Sequence, residues 1–408
     1  MATRAKTIGI LVTLDTKWEE TAYMKGLLEK RGYRPLVLDV GTRGTAPYPA
    51  DYSCEELARA GGRSLADIHV GPHGYMEIMS TVAAGAKKVV ENLVAEGQID
   101  GLLSIGGGMG TSTALLVMRE LPLSLPKLLL STVAFVTEVV STEKVSLDQA
   151  VMQSPADLYG VNRITEVSLR RAVGAICGMV EMQEEEKGQA RRKPLVAIST
   201  LGVHRYVDRC QALLKGRGYD PVVFHAQGSL QIEKLIRWGY VHAALDLCVY
   251  ELVNYVCEGV EKGGEEKYTA ACEKGIPQVI SLGALDFFPL PTSIPLPPKL
   301  EKRKSFVHGL IHLIQTSPQE QEKVAEMMAD TLNKGRGPMI ILIPLRGFSN
   351  LDSSPEMPFY EPEAGKRFST ALRIRLHNPL ARIEEIYAHI NEPAFAERAT
   401  DLLFSIMK

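Results

Sequence analysis

Short apolar runs alternate with longer stretches in which apolar residues return every three or four positions, and the alternation continues along nearly the whole chain. In the first half the runs are Thr7–Thr13, Pro35–Val40, Gly101–Ile105 and Lys127–Thr132. Each is short, and apolar without regular gaps, which predicts strands covered on both faces. Between them, Lys17–Lys30, Met76–Glu96, Ser112–Leu121 and Asn162–Met182 carry helical spacing. Strands separated by helices predict a mostly parallel sheet with helices on both faces.

The second half repeats the plan, with runs at Leu195–Thr200, Pro221–His225, Ala243–Leu247, Gln278–Ser281 and Met339–Ile343. The segment from Lys6 to Leu14 resembles that from Lys193 to Leu201. Each leads through a helical pattern to an Arg-Gly-Tyr-x-Pro turn, Arg31 to Pro35 and Arg217 to Pro221. Two α/β domains of matching layout follow. Between them Glu184–Lys193 is charged, with nothing to bury, and reads as a linker or the exposed end of a helix running into it. The expected limits are 1–183, 184–193 and 194–408. The proline-rich run Phe287–Pro298 predicts a long ordered loop, and His308 and His312 have the spacing to share one helix face.

Composition narrows the partners. The chain has 408 residues and a net charge of −2, which gives no reason to expect a nucleic-acid or anionic-membrane surface. Its six cysteines form no C-x-x-C pair, as expected in a reducing compartment, and no apolar run approaches membrane-spanning length. The expectation is a cytoplasmic protein whose partner is a small molecule or another protein.

Parallel sheets place ligands beyond the carboxyl ends of their strands. In the first domain that edge collects Thr13, Asp15, Lys17, Asp39, Gly41, Thr132 and the cluster Gly106, Gly107, Gly108, Gly110, Thr111 and Ser112. A strand running into glycines and then a helix is how a chain builds an anion site, because glycine admits close approach and the first helical amides are free. The spacing matches neither G-x-x-x-x-G-K-[ST] nor a first-turn G-x-G-x-x-G. Thr111 and Ser112 could donate to a ligand or cap the helix. Asp39 could hold ribose hydroxyls or simply end a strand. Asp15 and Lys17 form a charged pair at a helix start, able to serve a metal and a phosphate or to cap. In the second domain the edge collects His225, Gly228, Asp246, Asp286 and Arg346, of which His225, Asp246 and Asp286 are the candidate acids, bases or ligands, expected in one cleft. No dedicated metal-site pattern and no G-x-S-x-G elbow is present.

With those residues in hand the chain resembles a family, the ATP-binding domain typified by the plant tomato mosaic virus resistance protein. The carriers include Thr13-Leu14-Asp15-Thr16-Lys17, Leu38-Asp39-Val40-Gly41, Gly106–Ser112, Ser131-Thr132-Val133-Ala134, Phe224-His225-Ala226, Leu245-Asp246-Leu247, Gly283-Ala284-Leu285-Asp286, Pro344-Leu345-Arg346-Gly347 and His389-Ile390-Asn391-Glu392-Pro393. The resemblance implies two Rossmann-like domains, ATP as ligand, dimerisation, and for the plant protein a viral protein partner; Mg2+ is a candidate companion of the ATP. The chain departs from the family at Met109, where glycine is usual, and at Trp18. Three functions stay open: an enzyme acting on a small phosphorylated or carboxylated metabolite with ATP, a non-catalytic nucleotide-binding module that presents a protein surface, and a sugar-phosphate enzyme using no nucleotide.

Overall fold

The structure, a computed structural model, describes residues 4–42, 46–68, 74–136, 139–140, 148–187, 193–226, 230–260 and 264–407. The chain divides into two compact units, Met1–Ala190 and Arg191–Lys408. Gly228, and Gly188 to Arg192 of the charged segment, lie outside the described residues.

In the first unit β1 (Thr7–Val12), β2 (Arg34–Asp39), β3 (Gly101–Gly106), β4 (Lys127–Ser131) and β5 (Ala150–Gln153) pair in the order β2-β1-β3-β4-β5, every pair parallel. The helices are α1 (Leu14–Lys30), α2 (Cys54–Ala60), α3 (Gly74–Ala95), α4 (Gly108–Met118) and α5 (Arg163–Lys187). Alternate strand residues bury on opposite faces. Leu11, Leu38, Leu102 and Leu129 pack with residues of α2, α3 and α4, whereas Ile10, Val37, Leu103 and Leu130 pack with residues of α1 and α5. This is why these strands read as unbroken apolar runs: neither face meets water.

The second unit contains β6 (Leu195–Thr200), β7 (Asp220–His225), β8 (Val241–Cys248), β9 (Gln278–Gly283), β10 (Phe287–Pro291), β11 (Ser305–His308), β12 (Ile311–Gln315), β13 (Met339–Pro344) and β14 (Ala381–Ile386). Its helices are α6 (Val207–Gly216), α7 (Leu230–Arg237), α8 (Tyr250–Cys257), α9 (Thr269–Lys274), α10 (Pro318–Leu332), α11 (Ala364–Arg375) and α12 (Pro393–Ile406). The main sheet runs β14-β13-β9-β8-β6-β7, all parallel, with α6 and α12 against one face and the other helices against the opposite one. Both units are therefore α/β, Rossmann-like folds.

Two expectations are corrected by a small antiparallel sheet, β10-β12-β11. Phe287–Pro291 is an edge strand paired with β12, not loop; Pro289, which has no N–H to donate, is tolerated because one side of an edge strand needs no ladder. His308 and His312 lie on adjacent antiparallel strands, not on a helix, because Gly309 takes a positive φ of 58° and turns the chain between them.

Candidate functional site

In the first domain the strand order reverses direction between β1 and β3, the switch point at which doubly wound sheets open a crevice for ligands. Both strands end there in helix starts. Gly107 is the N-cap of α4 in an extended conformation, and the amides of Gly108, Met109 and Gly110 make no hydrogen bond among the described residues. These are three free donors at the positive end of a helix dipole. A Cβ at Gly106 would lie 2.7 Å from the Gly110 carbonyl carbon and the Thr111 nitrogen, so glycine is required where strand and helix touch. A Cβ at Gly108 would meet nothing within 4 Å, and one at Gly107 only Thr132 Oγ1, at 3.7 Å.

The helix begins four residues before the position its apolar pattern suggested, which changes the roles of the hydroxyls. Thr111 is fully buried and its Oγ1 lies 2.7 Å from Ser131 Oγ, so it ties α4 to β4 instead of capping. Ser112 Oγ donates back to Gly108 O. Thr132 N donates to Gly106 O, holding the β4 end beside the glycines. Across the switch point, Thr13 Oγ1 lies 3.9 Å from the Cβ position of Gly110 and 3.2 Å from Thr16 Oγ1.

Asp39 is 3% exposed, and its Oδ1 accepts from the amides of Leu14 (3.1 Å) and Gly41 (2.8 Å). Burial pushes its pKa up, opposed by those two amides. It fastens the end of β2 to the start of α1. Gly41 is needed beside it: a Cβ there would sit 2.9 Å from Asp39 Oδ1 and 3.1 Å from Asp15 Cγ. Asp15 Oδ2 accepts from Thr42 N. Lys17 is buried at a non-helical turn inside α1. Beside this helix start opens a cavity of about 520 Å³, lined by Asp15, Thr16, Trp18, Glu19, Glu20 and Tyr159 together with Gly160.

The three candidates of the second domain have different surroundings. His225 is exposed at the end of the edge strand β7. Asp246 is inside β8, accepting from Ser199 Oγ (2.6 Å) and from Lys267 Nζ (3.0 and 3.2 Å). Asp286 follows β9; its Oδ2 accepts from Ser349 Oγ, while its buried Oδ1 has no hydrogen-bond partner among the described residues. Burial and the neighbouring Asp352 push the Asp286 pKa far up. Arg346 pairs with Glu392 at 2.7 Å. Among the described residues no group of three or more His, Cys, Asp or Glu could hold a metal ion, and no helix is long and apolar enough to cross a membrane.

Residues 6–185 match the N-terminal domain of the Uncharacterised protein family (UPF0261), and residues 193–407 match its C-terminal domain. The chain belongs to UPF0261. A UPF0261 protein of Clostridium tetani is 34% identical over 99% of both chains. The ToMV resistance protein Tm-1(GCR237) of Solanum lycopersicum is 30% identical over 97% of this chain and 55% of its own length. Among solved structures, the glycosyltransferase SnogD from Streptomyces nogalater covers 99% of this chain and 100% of its own at 10% identity with a TM-score of 0.23, a likeness too slight to inform function.

The UPF0261 C-terminal domain also holds buried polar groups that the sequence did not single out. Lys267 is 3% exposed and bridges Asp246 and Glu251, the latter at 3.1 Å. Burial alone would lower its pKa, but the two carboxylates outweigh burial and raise it. Asp352 accepts from the amides of Phe348 (2.7 Å) and Ser349 (3.0 Å) and lies 3.2 Å from His389 Nε2. His204, with Nε2 3.1 Å from Phe348 O, is pushed by burial down to about 3. The available signal was positional: Phe348-Ser349 follows a strand, and Asp352 stands three residues on, within reach of their amides.

Proposed function

We propose that the first domain binds the phosphates of a nucleotide, ATP being the first candidate, at the start of α4, and that the protein is a cytoplasmic homodimeric enzyme using it on a small phosphorylated or carboxylated metabolite. The observation that carries this reading is the set of three unbonded amides, Gly108, Met109 and Gly110, at the β1/β3 switch point, with bare backbone at Gly107 and Gly108. Free helical amides and the helix dipole suit an anion there, and among the described residues no hydrogen bond to these amides would be displaced. Thr13 and Thr132 stand on either side as hydroxyl donors. Asp39 and Gly41 act on this site by fixing the start of α1.

Gly107→Val tests the proposal. Its backbone is extended, which valine adopts, and the new side chain points toward Thr132 across the mouth. Calorimetric titration with ATP is expected to show a loss of at least about tenfold in affinity in a folded variant. Unchanged affinity removes the turn from the site. The second reading, a non-catalytic module, is favoured by Phe135, which is 85% exposed shortly after β4 at the same sheet edge. Retention of ATP without metabolite-dependent turnover selects it, and binding of small phosphate esters with no ATP affinity selects the sugar-phosphate enzyme.

A further inference from the structure

The cavity beside the start of α1 has a chemistry opposite to that of the α4 start. Its lining includes the acidic side chains of Asp15, Glu19 and Glu20 and, among the described residues, no basic one, so a phosphate is disfavoured there; Glu20 is buried, its pKa pushed up by burial and its Oε1 accepting from Gly160 N. The walls also carry two aromatic rings with much of their surface in water, Trp18 at 40% and Tyr159 at 84% exposure. Ionised carboxylates accept hydrogen bonds and donate none. About 520 Å³ is within the range of small-ligand pockets, roughly 300–1,000 Å³. The cavity lies near the anion site: Thr16 lines the cavity and lies 3.2 Å from Thr13 hydroxyl to hydroxyl, and Thr13 stands 3.9 Å from the Cβ position of Gly110.

We infer that this cavity takes the other end of the same ligand, a planar ring bearing an exocyclic amine, stacked on Trp18 or Tyr159 and donating to the carboxylates. The inference rests on the nucleotide reading and adds to it an orientation and a selectivity. Opposite charge at the two ends permits one orientation only: phosphates on the amides of α4, ring toward α1. A ring with a keto group in place of the amine sets an acceptor at that position against a carboxylate acceptor, and only its ring N–H remains to donate.

The test is calorimetric titration of the full chain with ATP, with ITP, which carries a 6-oxo group in place of the 6-amino group, and with tripolyphosphate. ATP is expected to bind at least about tenfold tighter than ITP. Glu19→Gln, whose amide can donate as well as accept, is expected to reduce that preference to about threefold or less, and Trp18→Ala to weaken both nucleotides. Tripolyphosphate should bind the native chain and both variants alike, which also shows that the variants are folded. Equal affinity for ATP and ITP with tripolyphosphate still bound overturns the cavity assignment and leaves the phosphate site standing. A preference unmoved by Glu19→Gln overturns it as well. Failure of both ATP and tripolyphosphate to bind overturns the nucleotide reading and this inference with it.

Discussion

Ser349 Oγ donates to Asp286 Oδ2 across 2.6 Å, and the two residues are 0% and 3% exposed. The other carboxyl oxygen of Asp286 is buried with no hydrogen-bond partner among the described residues, beside a second carboxylate at Asp352. The arrangement favours the neutral acid.

A pH dependence follows. Because the folded-state pKa of Asp286 is raised, its contribution to stability is fully present below the ordinary carboxylate range near 4 and is lost as pH rises through the folded value. Across that window the loss approaches about 1.4 kcal/mol per pH unit. Asp286→Asn cannot ionise. Urea denaturation between pH 4 and 9 is therefore expected to show the variant gaining stability relative to the native protein as pH rises; parallel profiles would mean that Asp286 is charged throughout.

His204 acts in the other direction. Its pKa is depressed by burial to about 3, so its contribution is present above its unfolded value near 6.5 and is lost as pH falls toward 3. His204→Gln, which keeps polar atoms without a titrating ring, is expected to flatten the acid limb of the stability profile. An unchanged limb would show that other groups control acid unfolding.

Lys267 neutralises two buried carboxylates, Asp246 and Glu251. Lys267→Met fills the space but leaves both charges uncompensated, and is expected to cost about 3–5 kcal/mol in chemical denaturation. A cost below about 1 kcal/mol would mean that water reaches the pair.

Among the described residues the amides of Leu14 and Gly41 donate to Asp39 alone. Asp39→Ala orphans two buried donors, at about 1–3 kcal/mol each, and frees the start of α1. Thermal unfolding should show the destabilisation, and ATP affinity should fall with it. Lost affinity at full stability would instead place Asp39 against the ligand.

Met109, at the second helical position of α4, has an exposed side chain. Helical side chains lean toward the N-terminus, so this one lies over the turn that carries the free amides. Met109→Gly is expected to tighten ATP binding in calorimetry. Equal affinities would show that the side chain points clear of the site.

Local pattern made much of the architecture legible. The apolar runs at Ile10, Leu103, Ile198 and Ile341 are buried on both faces of parallel sheets, and that demand is written in the chain itself, because a strand covered twice is predominantly apolar. Gly106 to Gly110 likewise announced a tight strand-to-helix turn. What sequence could not decide was partnership. Thr111 and Ser131 are twenty residues apart, and nothing local tells that their hydroxyls meet at 2.7 Å instead of facing a ligand. Asp246 read as a reactive strand end, but Lys267 and Glu251 close around it only once β8, α8 and the turn before α9 pack together. His308 and His312 kept helical spacing yet lie in a hairpin, since the ladder between β11 and β12 outweighed their periodicity. The physical reason is common to all three. Burial pattern is a property of each segment against water, whereas a polar side chain takes its role from whichever distant group the fold sets within hydrogen-bonding range.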